Sequence, residues 1–161
     1  MVCSFFGHRD VPKSVYTTLV LVIEDLIEKH GDIRFMVGHQ GSFDSMVLKA
    51  LRACKKNHPE LRYEVVLAYL PGARDEYENY ESSETVLARG IENTPKRYAI
   101  VHRNRWMIKE SEIVVCYITR SWGGAAQFVE YARRQKKQII NLITLLGLEL
   151  LLLKCAVPSC G

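Results

Sequence analysis

Between Glu110 and Glu130 the chain reads E-S-E-I-V-V-C-Y-I-T-R-S-W-G-G-A-A-Q-F-V-E, and this stretch most constrains the fold. Residues 113–118 are a short, β-branched, nearly uninterrupted apolar run, the pattern of a strand covered on both faces in a parallel sheet. Gly123-Gly124 permits a sharp turn. From Ala125 the apolar residues Ala125, Phe128, Val129 and Ala132 recur at helical spacing, with Gln127, Glu130, Arg133 and Arg134 between them. Strand, glycine turn and helix are therefore expected in that order. The free N–H groups and positive dipole end of such a helix favour phosphate or another anion. Taken alone, the two glycines are better explained as a tight turn, and Glu130 as a solvated helix residue.

The remaining chain repeats this alternation. Residues 2–6 read as a first strand, and Gly7-His8-Arg9-Asp10 as a loop at its carboxyl end, where ligands bind in open α/β sheets. Arg9 suits a phosphate and His8 a ribose or phosphate; the alternative pairs Arg9 with Asp10 at the surface. A helix opens at Pro12 or Lys13, carries Val15, Leu19, Val22 and Leu26 on one face, and stops at Gly31. Tyr16, Val20, Ile23 and Ile27 widen its stripe, which predicts cover on two sides. Residues 34–37 give a second strand. Gly38-His39-Gln40-Gly41-Ser42-Phe43-Asp44 then leads into a helix bearing Met46, Val47, Ala50, Leu51 and Cys54. Gly38 and Gly41 allow close backbone approach. Ser42 or Asp44 suits the helix N-cap, while a second role for Asp44 is to accept a ribose hydroxyl.

A third strand is expected over 63–70, ended by Pro71-Gly72. The polar, acidic, tyrosine-bearing stretch 73–94, with only 85–87 looking extended, reads as a lid, a partner-contacting excursion or a solvated connection. Thr94-Pro95 reads as N-cap and first residue of a helix to about Lys109. Arg103 and Met107 lie one turn apart on it, so Arg103 is a candidate to reach the next strand's end. The last strand is expected over 138–142. The apolar segment 143–161 is shorter than a membrane-spanning helix needs and is expected to cap the sheet or build a subunit interface. The leucines Leu145, Leu146, Leu148, Leu150, Leu151, Leu152 and Leu153 would go around a helix, which favours a homodimer.

Glycine loops at successive strand ends predict a three-layer, Rossmann-like α/β fold with a mainly parallel sheet over residues 1–142, followed by the tail. At 161 residues and 48% hydrophobic content, one compact domain is expected. The formal charge of +4 comes partly from Arg133-Arg134 and Lys136-Lys137. These fit a helix C-terminus, without the long basic, aromatic-interleaved stripe of a nucleic-acid binder. Neither a nucleic-acid nor a membrane partner is expected. The five cysteines form no C-x-x-C pair and read as reduced thiols. With no signal-like segment at the start, a cytoplasmic protein is expected. No metal ligand set and no cofactor is read.

These motifs resemble the SLOG superfamily of Rossmann-like nucleotide-binding proteins. Trp122, Gly123, Gly124, Ala126, Gln127 and Glu130 occupy the positions of P-G-G-x-G-T-x-x-E in the LOG (lonely guy) enzymes. Arg103, Met107, Ser111 and Glu112 match the upstream Arg-Lys, Met and Ser-Asp, with Asn104 in place of Lys. The likeness is closer to small stand-alone bacterial and phage SLOG proteins, which carry G-H-R, G-x-x-G-x-D and W-G-G-A-A, and it spans residues 2–142. It implies a nucleotide-derived ligand held by Gly7, His8, Arg9, Gly38, Gly41, Ser42, Phe43, Asp44, Arg103, Ser121, Trp122, Gly123, Gly124 and Ala125. SLOG relatives include sensors of cyclic ADP-ribose-type signals in antiviral defence, and dimers are common among them. They also include enzymes that cut a nucleotide's N-glycosidic bond. If this chain were such an enzyme, Glu130 would activate water and Arg103 would hold phosphate. The motif departs from the enzyme form at Trp122, Ala126 and Gln127. Binding, as a sensor or sequestering protein, is therefore the favoured expectation.

Overall fold

The computed structural model describes residues 1–69 and 84–147. Its strands are β1 (Val2–Gly7), β2 (Arg34–Val37), β3 (Arg62–Leu67), β4 (Thr85–Leu87), β5 (Ile113–Tyr117) and β6 (Gln138–Asn141). The helices are α1 (Val15–His30), α2 (Ser42–Asn57), α3 (Ala99–Glu110) and α4 (Gly124–Arg134). The strands form one sheet in the order β4-β3-β2-β1-β5-β6. All of their pairings are parallel, with Ser4 beside Met36 and Phe5 beside Val115. The fold is a Rossmann-like α/β sandwich.

Strand alternation divides the apolar residues between two cores. Cys3, Phe5, Phe35, Val37, Ile113 and Val115 face the layer of α1 and α2, with Leu19, Ile23, Val47 and Leu51. Phe6, Met36, Val66, Val114 and Cys116 face the layer of α3 and α4, with Met107, Ile108, Val129 and Ala132. Because both faces are covered, β5 is buried at every position, as an all-parallel sheet requires. Its uninterrupted apolar run follows from that. Cys3, Cys54 and Cys116 are free and buried. Desolvation pushes the Cys116 thiol up to about 12, so it behaves as an apolar filler.

Several ends differ from their sequence expectation for local reasons. Val15 and Tyr16 donate to the carbonyls of Pro12 and Lys13, so a turn occupies the residues expected to begin α1. The Thr94 hydroxyl donates to the Gly90 carbonyl, and Pro95 heads a 3-10 turn, Lys96–Tyr98, instead of the first turn of α3. Strand β3 ends at Leu67. Of the expected excursion over 73–94, residues 73–83 lie outside the described residues, as do 70–72 before it. Residues 142–147 are helical, and Leu145 and Leu146 pack on the α1–α2 core, so the start of the apolar tail caps the sheet sandwich. Residues 148–161, which carry most of the motive for a homodimer, lie outside the described residues. Among the described residues no helix is long and apolar enough to cross a membrane.

One packing contact sets how β1 meets α2. A Cβ on Gly7 would stand 2.4–2.9 Å from ring atoms of Phe43. That ring is 1% exposed and stacks on Tyr117 at 6.4 Å, so it has nowhere to move. Gly7→Ala is expected to destabilise the fold by about 1–3 kcal/mol, the range for overpacked cores. Urea denaturation measures it, and an unchanged midpoint would show that the ring can yield.

Candidate functional site

From β1 the chain works outward through β2 and β3 to β4, then returns to the other side of β1 for β5 and β6. The carboxyl ends of β1 and β5 therefore flank the point where the winding reverses, the crevice in which open α/β sheets bind ligands. A cavity of about 390 Å³ opens there. Its lining includes Gly7, His8 and Arg9 after β1, Gly38, Gln40 and Asp44 around the β2–α2 junction, and Arg120, Gly123, Gly124 and Ala125 after β5. Arg103, Asn104 and Met107 of α3 and Phe128 of α4 close the second-layer side. The volume lies within the roughly 300–1,000 Å³ usual for small-molecule sites.

Both helices that start at this crevice are headed by a glycine no other residue replaces cheaply. Gly41 precedes α2 at φ 126° and Gly123 precedes α4 at φ 97°. Neither helix has a side-chain cap. They differ in charge. Asp44 stands in the first turn of α2 and opposes its dipole, whereas the first turn of α4 holds no acidic residue. The earliest amide of α4 with an intrahelical acceptor is that of Gln127, bonded to the Gly123 carbonyl at 3.1 Å. Among the described residues the N–H groups of Gly124, Ala125 and Ala126 have no acceptor, which leaves them open to an anion. An added Cβ on Gly124 would meet no atom within 4 Å. Space is open at the turn.

The first loop is held from both sides. His8 donates its backbone N–H to the Tyr117 carbonyl at 3.1 Å, and the Ser42 hydroxyl donates to the Arg9 carbonyl. Ser42 is thereby spent on the loop and does not cap α2. Asp10 does not pair with Arg9. Its carboxylate instead takes two hydrogen bonds from Arg120, at 2.9 and 3.3 Å, and these hold the Asp10 carboxyl below its ordinary range. Among the described residues no carboxylate pairs with Arg9, which is exposed and lines the cavity. His8 is 4% exposed, and its Nε2 has no hydrogen-bond partner among the described residues. A buried polar nitrogen at a cavity wall is costly unless something bonds to it.

Opposite lie two charged groups, Arg103 buried and Asp44 half-buried. Arg103, 3% exposed, donates from Nε to the Asn104 side-chain oxygen at 2.8 Å and from a terminal nitrogen to the Val66 carbonyl at 3.1 Å. Asp44 accepts the Gln40 backbone N–H at 2.8 Å. Both charged groups crowd Gly38, where a Cβ would stand 2.5 Å from the Asp44 carboxylate and 3.0 Å from the Arg103 guanidinium. Desolvation raises the Asp44 carboxyl from 3.8 to about 6, although the Gln40 N–H and the Arg103 charge both favour ionisation.

Nine of the expected binding residues meet at this cavity: Gly7, His8, Arg9, Gly38, Asp44, Arg103, Gly123, Gly124 and Ala125. The other expected residues stand elsewhere. Phe43 is core, its ring turned under Gly7 and outside the cavity lining. Gly41 and Ser42 support the first loop. Trp122 is 67% exposed with Arg120 stacked 4.4 Å from its ring. Ser121 and Glu130 line a separate depression between α4 and the ends of β5 and β6. Glu130 bonds Arg133 at 2.7 Å and Arg134 at 3.3 Å, which keep its carboxyl low. Arg103 and Glu130 are therefore not brought to one cavity. Sequence reasoning missed Arg120, Gln40, Ile100 and Phe128. Ile100 shares the one-turn stripe of Arg103 and Met107; Arg120 carried no motif.

No family model matches the sequence, and no curated protein matches it. Among solved structures the chain is similar to DNA processing protein A (DprA) from Streptococcus pneumoniae, with a TM-score of 0.60 and 15% identity. The match covers 85% of this chain and 48% of that one, so the chain spans about half the length of its structural relative. Such a likeness establishes the shared Rossmann-like fold.

The raised Asp44 carboxyl carries a stability signature. A raised folded-state value means that the group's contribution is fully present below about 3.8, where it is neutral in both states, and is lost as pH rises through about 6. Asp44→Asn is accordingly expected to stabilise the empty protein at pH 7.5 by on the order of 1–3 kcal/mol. The gain should vanish by about pH 4. Denaturation curves at both pH values test this, and a loss of stability at pH 7.5 would mean that the Arg103 attraction outweighs desolvation.

Proposed function

We propose that this protein binds a nucleotide-derived small molecule of the ADP-ribose or cyclic ADP-ribose kind, as a sensor or a sequestering protein. The observation that carries the reading is the open amino end of α4, with its unengaged amides, at the same cavity as the buried, unpartnered His8 Nε2. Amides at a helix start and a positive dipole end select an anion. Arg9, on the cavity wall, supplies a mobile guanidinium that suits phosphate oxygens. Apolar walls from Met107 and Phe128 fit the rest of an amphiphilic ligand. The SLOG resemblance points to the same ligand class and to a role in phage–bacterium defence or counter-defence.

The alternative of N-glycosidic hydrolysis needs an acid or base beside the bound nucleotide. Glu130 lines a different depression and is ion-paired on the surface, which favours binding without turnover. The structural relative's name concerns DNA, so DNA belongs in the test.

Titration calorimetry with ADP-ribose, cyclic ADP-ribose, AMP and a single-stranded oligonucleotide is expected to detect the first two. Gly124→Val should weaken that binding by at least about tenfold, because its side chain enters open space at the turn. Circular dichroism should remain that of the folded protein. Unchanged affinity in this variant would put the ligand elsewhere, and binding of the oligonucleotide alone would replace the reading with a DNA-handling one. Free base released from AMP over many turnovers would establish the hydrolase instead.

A further inference from the structure

Arg120 lines the cavity, yet its fork is already occupied. Its two terminal nitrogens donate to the two oxygens of the Asp10 carboxylate at 2.9 and 3.3 Å, the end-on geometry with which a guanidinium grips a carboxylate or a phosphate. The guanidinium also stacks on the Trp122 ring, its Cζ 4.4 Å from the ring centroid. Its Nε is buried and has no partner among the described residues. Asp10 therefore serves part of the group and leaves one donor without an acceptor.

The carboxylate stands among groups that suit an anion. Asp10 follows His8 and Arg9 on the first loop. Its carboxyl is held low chiefly by the hydrogen bond from Arg120, and attraction to Arg120 and His8 adds to this. Arg120 itself stands four positions before Gly124 on the β5–α4 loop, and both line the one cavity. Without Asp10, the empty protein would hold Arg120 beside the positive end of α4 with no counter-ion on either loop.

The bond is also one that exchanges at little cost. The Asp10 side chain is 64% exposed and that of Arg120 34%, and ion pairs so open to water contribute little to stability. A released carboxylate is hydrated at once. Phosphate oxygens fit the same fork with a larger charge, and Trp122 still holds the guanidinium when Asp10 leaves. Resting on the nucleotide-binding reading above, we propose that Asp10 fills an anion site on Arg120 in the empty protein and yields it to the second phosphate of a diphosphate ligand. The first phosphate rests on the α4 amides, and the second on Arg120, upstream on the same loop. The site thus selects two linked anionic groups over one.

The test is titration calorimetry of the full-length protein with ADP-ribose, using Asp10→Asn, Arg120→Gln and the double variant. Asp10→Asn removes the internal competitor and should tighten binding by about two- to fivefold. Arg120→Gln should weaken it by on the order of tenfold. In the Arg120→Gln background, Asp10→Asn should bring no further gain, because the pair it breaks is already absent. A gain that persists there is a general effect of net charge and overturns the proposal. Equal affinity of wild type and Asp10→Asn overturns it as well. So does weaker binding by an Asp10→Asn protein whose circular dichroism is unchanged, which would make Asp10 a support that orients Arg120. Asp10→Ser, which also lacks the charge, gives the same readout should Asn disturb the loop. In each of these failures ADP-ribose still binds wild type, and the nucleotide reading stands. Absence of binding by wild type and Asp10→Asn alike overturns both.

Discussion

The ring of Phe43 packed against Gly7 is the contact on which the site's geometry rests. It brings the start of α2 against the end of β1 at a distance no side chain on residue 7 would permit. Once that is fixed, the rest of the first loop has little freedom. His8 hangs from the Tyr117 carbonyl, Arg9 is held by the Ser42 hydroxyl, and Asp10 reaches the β5 loop through Arg120. Three successive residues thus join three elements. The cavity is rigid along this wall because its polar contacts are anchored in a dry aromatic core of Phe5, Phe35, Phe43 and Tyr117.

The price of such a site is visible in its charges. Arg103 is removed from water beside Gly38, and the half-buried Asp44 carboxyl is partly desolvated there. Replacing desolvated charges with neutral groups commonly stabilises a protein, so their presence costs folding stability. His8 adds an unbonded buried nitrogen to that cost. Elsewhere the described cores are almost wholly apolar, with Ser4 Oγ another unpartnered buried atom.

Much of the architecture was legible because parallel sheets impose a simple code. The apolar run of β5, the helical spacing of Val15, Leu19, Val22 and Leu26, and the glycine loops each report a constraint acting within a few residues. The all-parallel order follows from strand–helix alternation. What was not legible depends on long-range partners. Nothing near Phe43 in sequence tells that its ring faces Gly7, so a residue adjacent to the ligand loop was read as part of the site. Arg120 was overlooked because its role arises from Asp10, far away in the chain. Glu130 occupies a motif position, but the turn of α4 directs it to Arg133 and Arg134.

The unequal charging of α2 and α4 has a kinetic consequence. Asp44 offsets the dipole of one helix, whereas the other starts on amides with no acceptor among the described residues, in a protein of formal charge +4. For an anion of the kind proposed above, this field would draw it towards the α4 side before any contact forms and turn its charge inward. Encounter on this route slows as ionic strength rises, since exposed charges are screened over about 10 Å at 0.1 M salt. Departure of such an anion would be governed by the buried groups and be far less sensitive to salt. Arrival and residence would thus be set by different parts of one cavity, each open to change without the other.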